Sequence, residues 1–414
     1  MLQNSFKKIH ATINFEKTYY YSLLMFAFLL PLSRATNSFF IILFIFLFVI
    51  QGKYRKHFTI LKNAPFSKAL LILIGFTFLS LLWTEDLKFG LNPKLLYLEY
   101  FALFTIALNI KVKQIPSIIT TFLMGMFVSE ILSYGMFFEL WQVKGHGKEY
   151  PSPFMMHIDY SIFLAFAAII ILHRLLSKKY NKKEKGVLFL FFLTITGNLF
   201  INEGRTGQLG FMVAIIVSVF LHYKVSMRSI LGALLLVTVI FGTAYNISEK
   251  FQARVMEAKV NIVAINNGSN YYTSLGLRVT MYYVALDILK ENPLLGVGVG
   301  DYQLAAKRAL KKDNHGFDER ISDFITSNHF HSQYLNVLVQ GGIIGLALLL
   351  MVFFHFLRLP IAYREHKELS LLIVVIFLTS FLTEPILIKQ FPNALFILFA
   401  GLFLATSIQH PKKN

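Results

Sequence analysis

Arg205, Arg278 and His331 are the residues whose types and settings best suit chemistry on a charged substrate. Arg205 stands in "INEGRTGQLG", a very short connection between two apolar runs. Arg278 lies in "GLRVTMYYVALDILKEN", whose periodicity predicts a helix ending before Pro293. His331 follows His329 in "NHFHSQYLNVLVQGGIIG", which turns halfway from polar to apolar, glycine-spaced sequence. An arginine brings permanent charge and a planar fork of donors for phosphate oxygens. A neutral histidine is suited to accept a proton near physiological pH. Position alone also allows plainer readings. Arg205 could be solvated or held at lipid headgroups, Arg278 an exposed charge on an amphipathic helix, and His331 an N-cap or interfacial residue.

Other polar positions carry smaller claims. Glu384 in "FLTEPI" falls near the end of an apolar run beside a kink-forming proline, and reads as functional or structural alike. Glu99, Glu130 and Arg174 are open in the same way. His157 and Asp159 in "MMHIDY" are metal-ligand types, but two residues at that spacing do not make a site, and no metal or other cofactor is expected. "GVGVG" reads as a turn, because no strand precedes it and a nucleotide would be scarce outside the cytoplasm.

The elements that must position these residues are apolar. The chain has 414 residues, 56% hydrophobic and 15% charged, with 43 Phe. Soluble domains average about a quarter charged, so a polytopic membrane bundle is indicated. The net charge of +18 follows from the bias of Lys and Arg toward cytoplasmic loops. No basic groove with interleaved aromatics suggests nucleic acid. With no cysteine, disulfides and thiolate metal sites are excluded. Lys7 and Lys8 precede a hydrophobic run that no small-residue cleavage site follows, which reads as a retained first span.

A helix needs about 20 mostly apolar residues to cross a bilayer. By that measure about twelve spans are expected, centred near Met25, Phe44, Phe76, Phe104, Ser129, Ala167, Leu193, Ile216, Val237, Leu348, Ile376 and Phe399. Alternate connections are basic: one set, with both termini, holds about 22 Lys and Arg against about 7 in the short loops of the other. Both termini are therefore expected in the cytoplasm. By parity the one long loop lies outside. The expected division is a transmembrane bundle over 1–246, the large outside loop over 247–332, and further transmembrane helices over 333–414. "QLAAKRALKK" predicts a second helix within the loop. A loop this long in a compact protein is usually functional.

"HSQYLNVLVQGGIIG" resembles the signature of the O-antigen ligase and polymerase superfamily, in which a His and a small polar residue precede an apolar helix with glycines about 11 and 14 positions on. His331, Gly342 and Gly345 fill those places. "GLRVTMYYVALDILKENPLLGVGVGDY" is similar to the family segment before that motif, and "EGRTGQLG" to the family's upstream Arg. One departure is Glu203-Gly204, where a Ser or Thr often precedes the Arg. The resemblance covers roughly 202–345 in the family's order.

It implies an all-α integral membrane glycosyltransferase similar to the lipid-linked-donor (GT-C type) enzymes, working without a metal and with inversion in one displacement. It also implies a bacterial inner membrane, with the long loop and the site facing the periplasm. His331 would be the catalytic base, with Arg205 and Arg278 binding the diphosphate; His329 could share or replace the role of His331, and Glu384 is a reserve candidate. The implied partners are an undecaprenyl-diphosphate-linked glycan donor, a lipid A–core acceptor and membrane lipids. The leading reading is an O-antigen ligase. The alternative is an O-antigen polymerase with a lipid-linked glycan as acceptor. A protein O-oligosaccharyltransferase comes third, since no long extra C-terminal periplasmic region is present. A polysaccharide transporter would place its functional charges nearer mid-membrane.

Overall fold

The computed structural model describes residues 14–91, 94–143, 147–202, 204–223, 225–247, 249–266 and 271–410. Lys7, Lys8 and Glu203 lie outside the described residues. Helices make up the fold, with no strand among the described residues. Each of the twelve expected span centres falls within a helix. Among the described residues, nine of the helices are long and apolar enough to cross a membrane. The other three, Phe15–Leu29, Lys94–Asn109 and Arg364–Ser380, have 15, 16 and 17 residues. At 1.5 Å rise per residue they fall short of a hydrocarbon core about 30 Å thick.

The helix Gln390–Gln409 is the centre of the bundle, with 94% of its span buried, whereas Met227–Ile247 at the periphery is only 11% buried. Lipid tails are as apolar as Leu, so shape complementarity must hold such helices together. Phenylalanines supply much of it here. Phe399 on the central helix meets Phe166 and Phe122 edge to face, with centroids 4.6 and 5.3 Å apart. At the crossing of Arg205–Tyr223 with His157–Leu176, a Cβ on Gly207 would stand 2.1 Å from the Ser161 backbone. Glycine there lets the Gly207 N–H donate to Ser161 Oγ at 3.1 Å.

Between Ile247 and Gln333 the chain forms the helices Glu249–Asn266, Ser274–Glu291, Tyr302–Lys312 and Glu319–Ser327. The second and third match the sequence expectation; the first and fourth are additions to it. Thr273 and Asp318 cap their helices by accepting from Gly276 N and Ile321 N. The segment has its own core, in which Met281, Val284, Ile288, Ala306, Ile321 and Phe330 are buried. Asp301 ties it to the bundle, accepting from Glu85 N at 2.6 Å and Asp86 N at 3.0 Å. A two-pronged Arg308–Glu85 ion pair adds to that tie.

Candidate active site

The glycines of the histidine motif have a definite use. Gly342 adopts φ 62° and ψ −164° and interrupts the helix Gln333–Leu357. Into this break comes the segment 293–300: Val297 and Gly298 donate to Val339 O and Gln340 O, and Ile343 and Ile344 donate to Pro293 O and Leu294 O. A Cβ on Gly342 would lie 2.2 Å from Leu294 O. Four backbone bonds thus join the loop that follows the Arg278 helix to the helix that follows His331. "GVGVG" accordingly lies in a turn, with Gly296, Gly298 and Gly300 all at positive φ.

His331 precedes its helix rather than entering it. Ser332 is the N-cap, its hydroxyl accepting from Leu335 N at 3.4 Å while donating to Phe381 O at 3.1 Å. Gln333 N also donates to Phe381 O, and Gln333 Oε1 accepts from Leu387 N. These contacts pin the connection 381–389 against the histidines. Glu384 is the result: a carboxylate only 2% exposed, with Oε2 3.1 Å from His331 Nδ1.

His329 also turns toward Glu384, with Nε2 3.5 Å from Oε1. Had the helix begun at these residues, they would point about 200° apart. It begins after them, so the rings lie edge to face at 4.7 Å and share one carboxylate. Phe324 stacks on the other side of His331.

Lys389 completes the cluster, its ammonium 2.7 Å from Glu384 Oε1 and 3.4 Å from Asp159 Oδ1. Burial pushes the Glu384 carboxyl up, but the His331 hydrogen bond and the Lys389 charge outweigh it and hold the group at about 2. Burial pushes His329 down to about 4, so it is neutral at pH 7. An ionised carboxylate can only accept hydrogen bonds, so Glu384 favours the His331 tautomer that carries its proton on Nδ1 and its lone pair on Nε2. Ligand-type atoms of His329, His331 and Glu384 lie within 4.8 Å of one another, a spacing a cation could bridge. The Lys389 ammonium already holds one carboxylate oxygen, and its charge opposes a second cation.

The arginines flank this cluster. Arg278, one turn into its helix and half-buried, is pushed down by burial and raised again by Glu384, while Arg205 lowers it; it is within electrostatic reach of both. Arg205 heads its own helix, and its neighbour Thr206 meets Thr383 at 2.8 Å, next to Glu384. Its guanidinium donates to Glu257 Oε2 at 2.9 Å from the helix Glu249–Asn266. The same charge-assisted donors that hold this carboxylate also suit phosphate oxygens.

Sequence reasoning singled out His329, His331, Glu384, Arg205 and Arg278, and the fold gathers them at one end of the bundle. It missed Lys389 and Glu257, and it weighed Asp159 as a metal ligand where the structure gives an ion pair. A lone lysine between two apolar runs was the available signal for Lys389.

Residues 189–350 match the family model described as O-Antigen ligase. That range contains both arginines and both histidines and stops before Glu384. An uncharacterised protein of Haemophilus influenzae strain Rd is 29% identical over 219 residues, covering 51% of this chain and 53% of the relative. The match thus spans about half of the relative's length. Over residues 189–350 the chain thus carries a segment similar to the O-antigen ligase family, which supports the ligase and polymerase superfamily for that part.

Proposed function

We propose that the chain transfers a glycan from undecaprenyl diphosphate to the lipid A–core, as an O-antigen ligase. The observation that carries this reading is the His331 Nδ1–Glu384 contact beside two arginines. Glu384 orients the ring, so that Nε2 takes the proton of the acceptor hydroxyl. The hydroxyl oxygen attacks the anomeric carbon as the bond from that carbon to the phosphate oxygen breaks, and undecaprenyl diphosphate leaves. Charge develops on the leaving diphosphate, and charge-assisted bonds from arginine contribute about 1.5–3 kcal/mol each. Donor would exchange with Glu257 for Arg205. No step calls for a metal.

Orientation belongs to the same proposal: twelve spans, both termini in the cytoplasm, and the site at the periplasmic face of the inner membrane. A cysteine placed at Asp313 should react with an impermeant thiol reagent in spheroplasts, and one at Lys183 only after lysis. Equal labelling before lysis contradicts this topology.

The family domain covers ligase and polymerase alike, and lipopolysaccharide from a deletion strain separates them on a gel. Loss of all polymer attached to core is expected. A single attached repeat would assign a polymerase instead, and an unchanged ladder would rule out both.

A further inference from the structure

We propose that Lys389 is a positioning residue for the reaction, fixing the Glu384 carboxylate against His331 Nδ1 and setting the charge that His331 meets. This rests on the reading of His331 as the base. Lys389 is 15% exposed, held between Glu384 at 2% and Asp159 at 8%. Its backbone caps the central helix, since Lys389 O accepts from Asn393 N. A cation at a helix N-terminus opposes the helix dipole, so this ammonium needs its two carboxylates. Asp159, in the first turn of His157–Leu176, has the sign the dipole favours. The chain Asp159–Lys389–Glu384–His331 therefore connects two rigid spans to the imidazole, and the family-matched segment holds only its last member.

The charged groups around Lys389 come from every neighbouring element. Glu384 and Asp159 touch it, and His329 and His331 face it across Glu384. Arg34 acts on Asp159, and Arg278 on Glu384. Removing one positive charge from such a coupled cluster raises the pH at which it takes up its next proton, whichever group carries that proton. Removing a negative charge lowers it. A protonated His331 cannot act as a base, so the acid limb of kcat/KM reports this uptake.

The test is the pH profile of kcat/KM for the purified full-length protein with Lys389→Met, Lys389→Arg and Asp159→Asn. A charge within about 4–6 Å moves a titration by roughly 1–3 units. Lys389→Met should shift the acid limb up by about one unit, Asp159→Asn should shift it down by less, and Lys389→Arg should leave it in place. Opposite shifts from the two neutralising variants support the proposal, and a structural brace would not produce them. Should Lys389→Met fail to fold, the downward shift in Asp159→Asn against an unmoved Lys389→Arg decides the matter alone. Lower rates with every limb unmoved, while His331→Ala is inactive, overturn the role of Lys389 only. An active His331→Ala overturns the reading beneath it.

Discussion

His331→Ala should lower the initial transfer rate by at least about 10²-fold, the usual effect of removing a general base, while donor affinity persists. His329→Ala should stay within about tenfold of the parent rate. Both rings contact Glu384, so the separation rests on the hydrogen bond to His331 Nδ1 at 3.1 Å, against the longer 3.5 Å contact of His329. The register of Gly342 and Gly345 selects the same residue. Rates and donor affinities of the two purified variants check this. An inactive His329→Ala beside an active His331→Ala would reverse the assignment, and activity in both would remove histidine as the base.

Arg278→Ala should nearly abolish transfer. Losing two charge-assisted contacts from one guanidinium costs about 3–5 kcal/mol, or roughly two to four decades in rate. Arg278→Lys keeps the charge and loses the planar fork, so partial activity is expected. Arg278 is half-buried close to Glu384, and so less open to screening by solvent than an exposed arginine. Initial rates at saturating donor measure the effect. Retention of most of the activity by Arg278→Ala would make it a surface charge.

The helical positions were legible because hydropathy is local: an apolar run of the right length marks a helix wherever it packs. Phe15–Leu29 and Arg364–Ser380 were legible as helices, yet at 15 and 17 residues they show how loosely hydropathy fixes length. Between Ile247 and Gln333, the apolar periodicity around Arg278 revealed its helix. Glu249–Asn266 mixes charged and apolar residues too evenly for a run to stand out. The start of the helix after His331 could have been read from Ser332, an N-cap type, which places both histidines before it. Glu384 was visible only as an acid beside a proline. Its contacts with His331 and Lys389 depend on how the connection 381–389 folds back onto Ser332 and Gln333, over about 50 residues of sequence. Asp159 and Lys389 are farther apart still, and no spacing rule joins them.

The most direct measurement is transfer by the purified protein in lipid, supplied with an undecaprenyl-diphosphate-linked glycan and lipid A–core, with and without EDTA. Core-linked glycan should form, undecaprenyl diphosphate should be released in equal amount, and EDTA should leave the rate unchanged. Lengthened lipid-linked glycan in place of the core product would move the assignment to polymerase. Donor left unconsumed with either acceptor would contradict glycan transfer at this site.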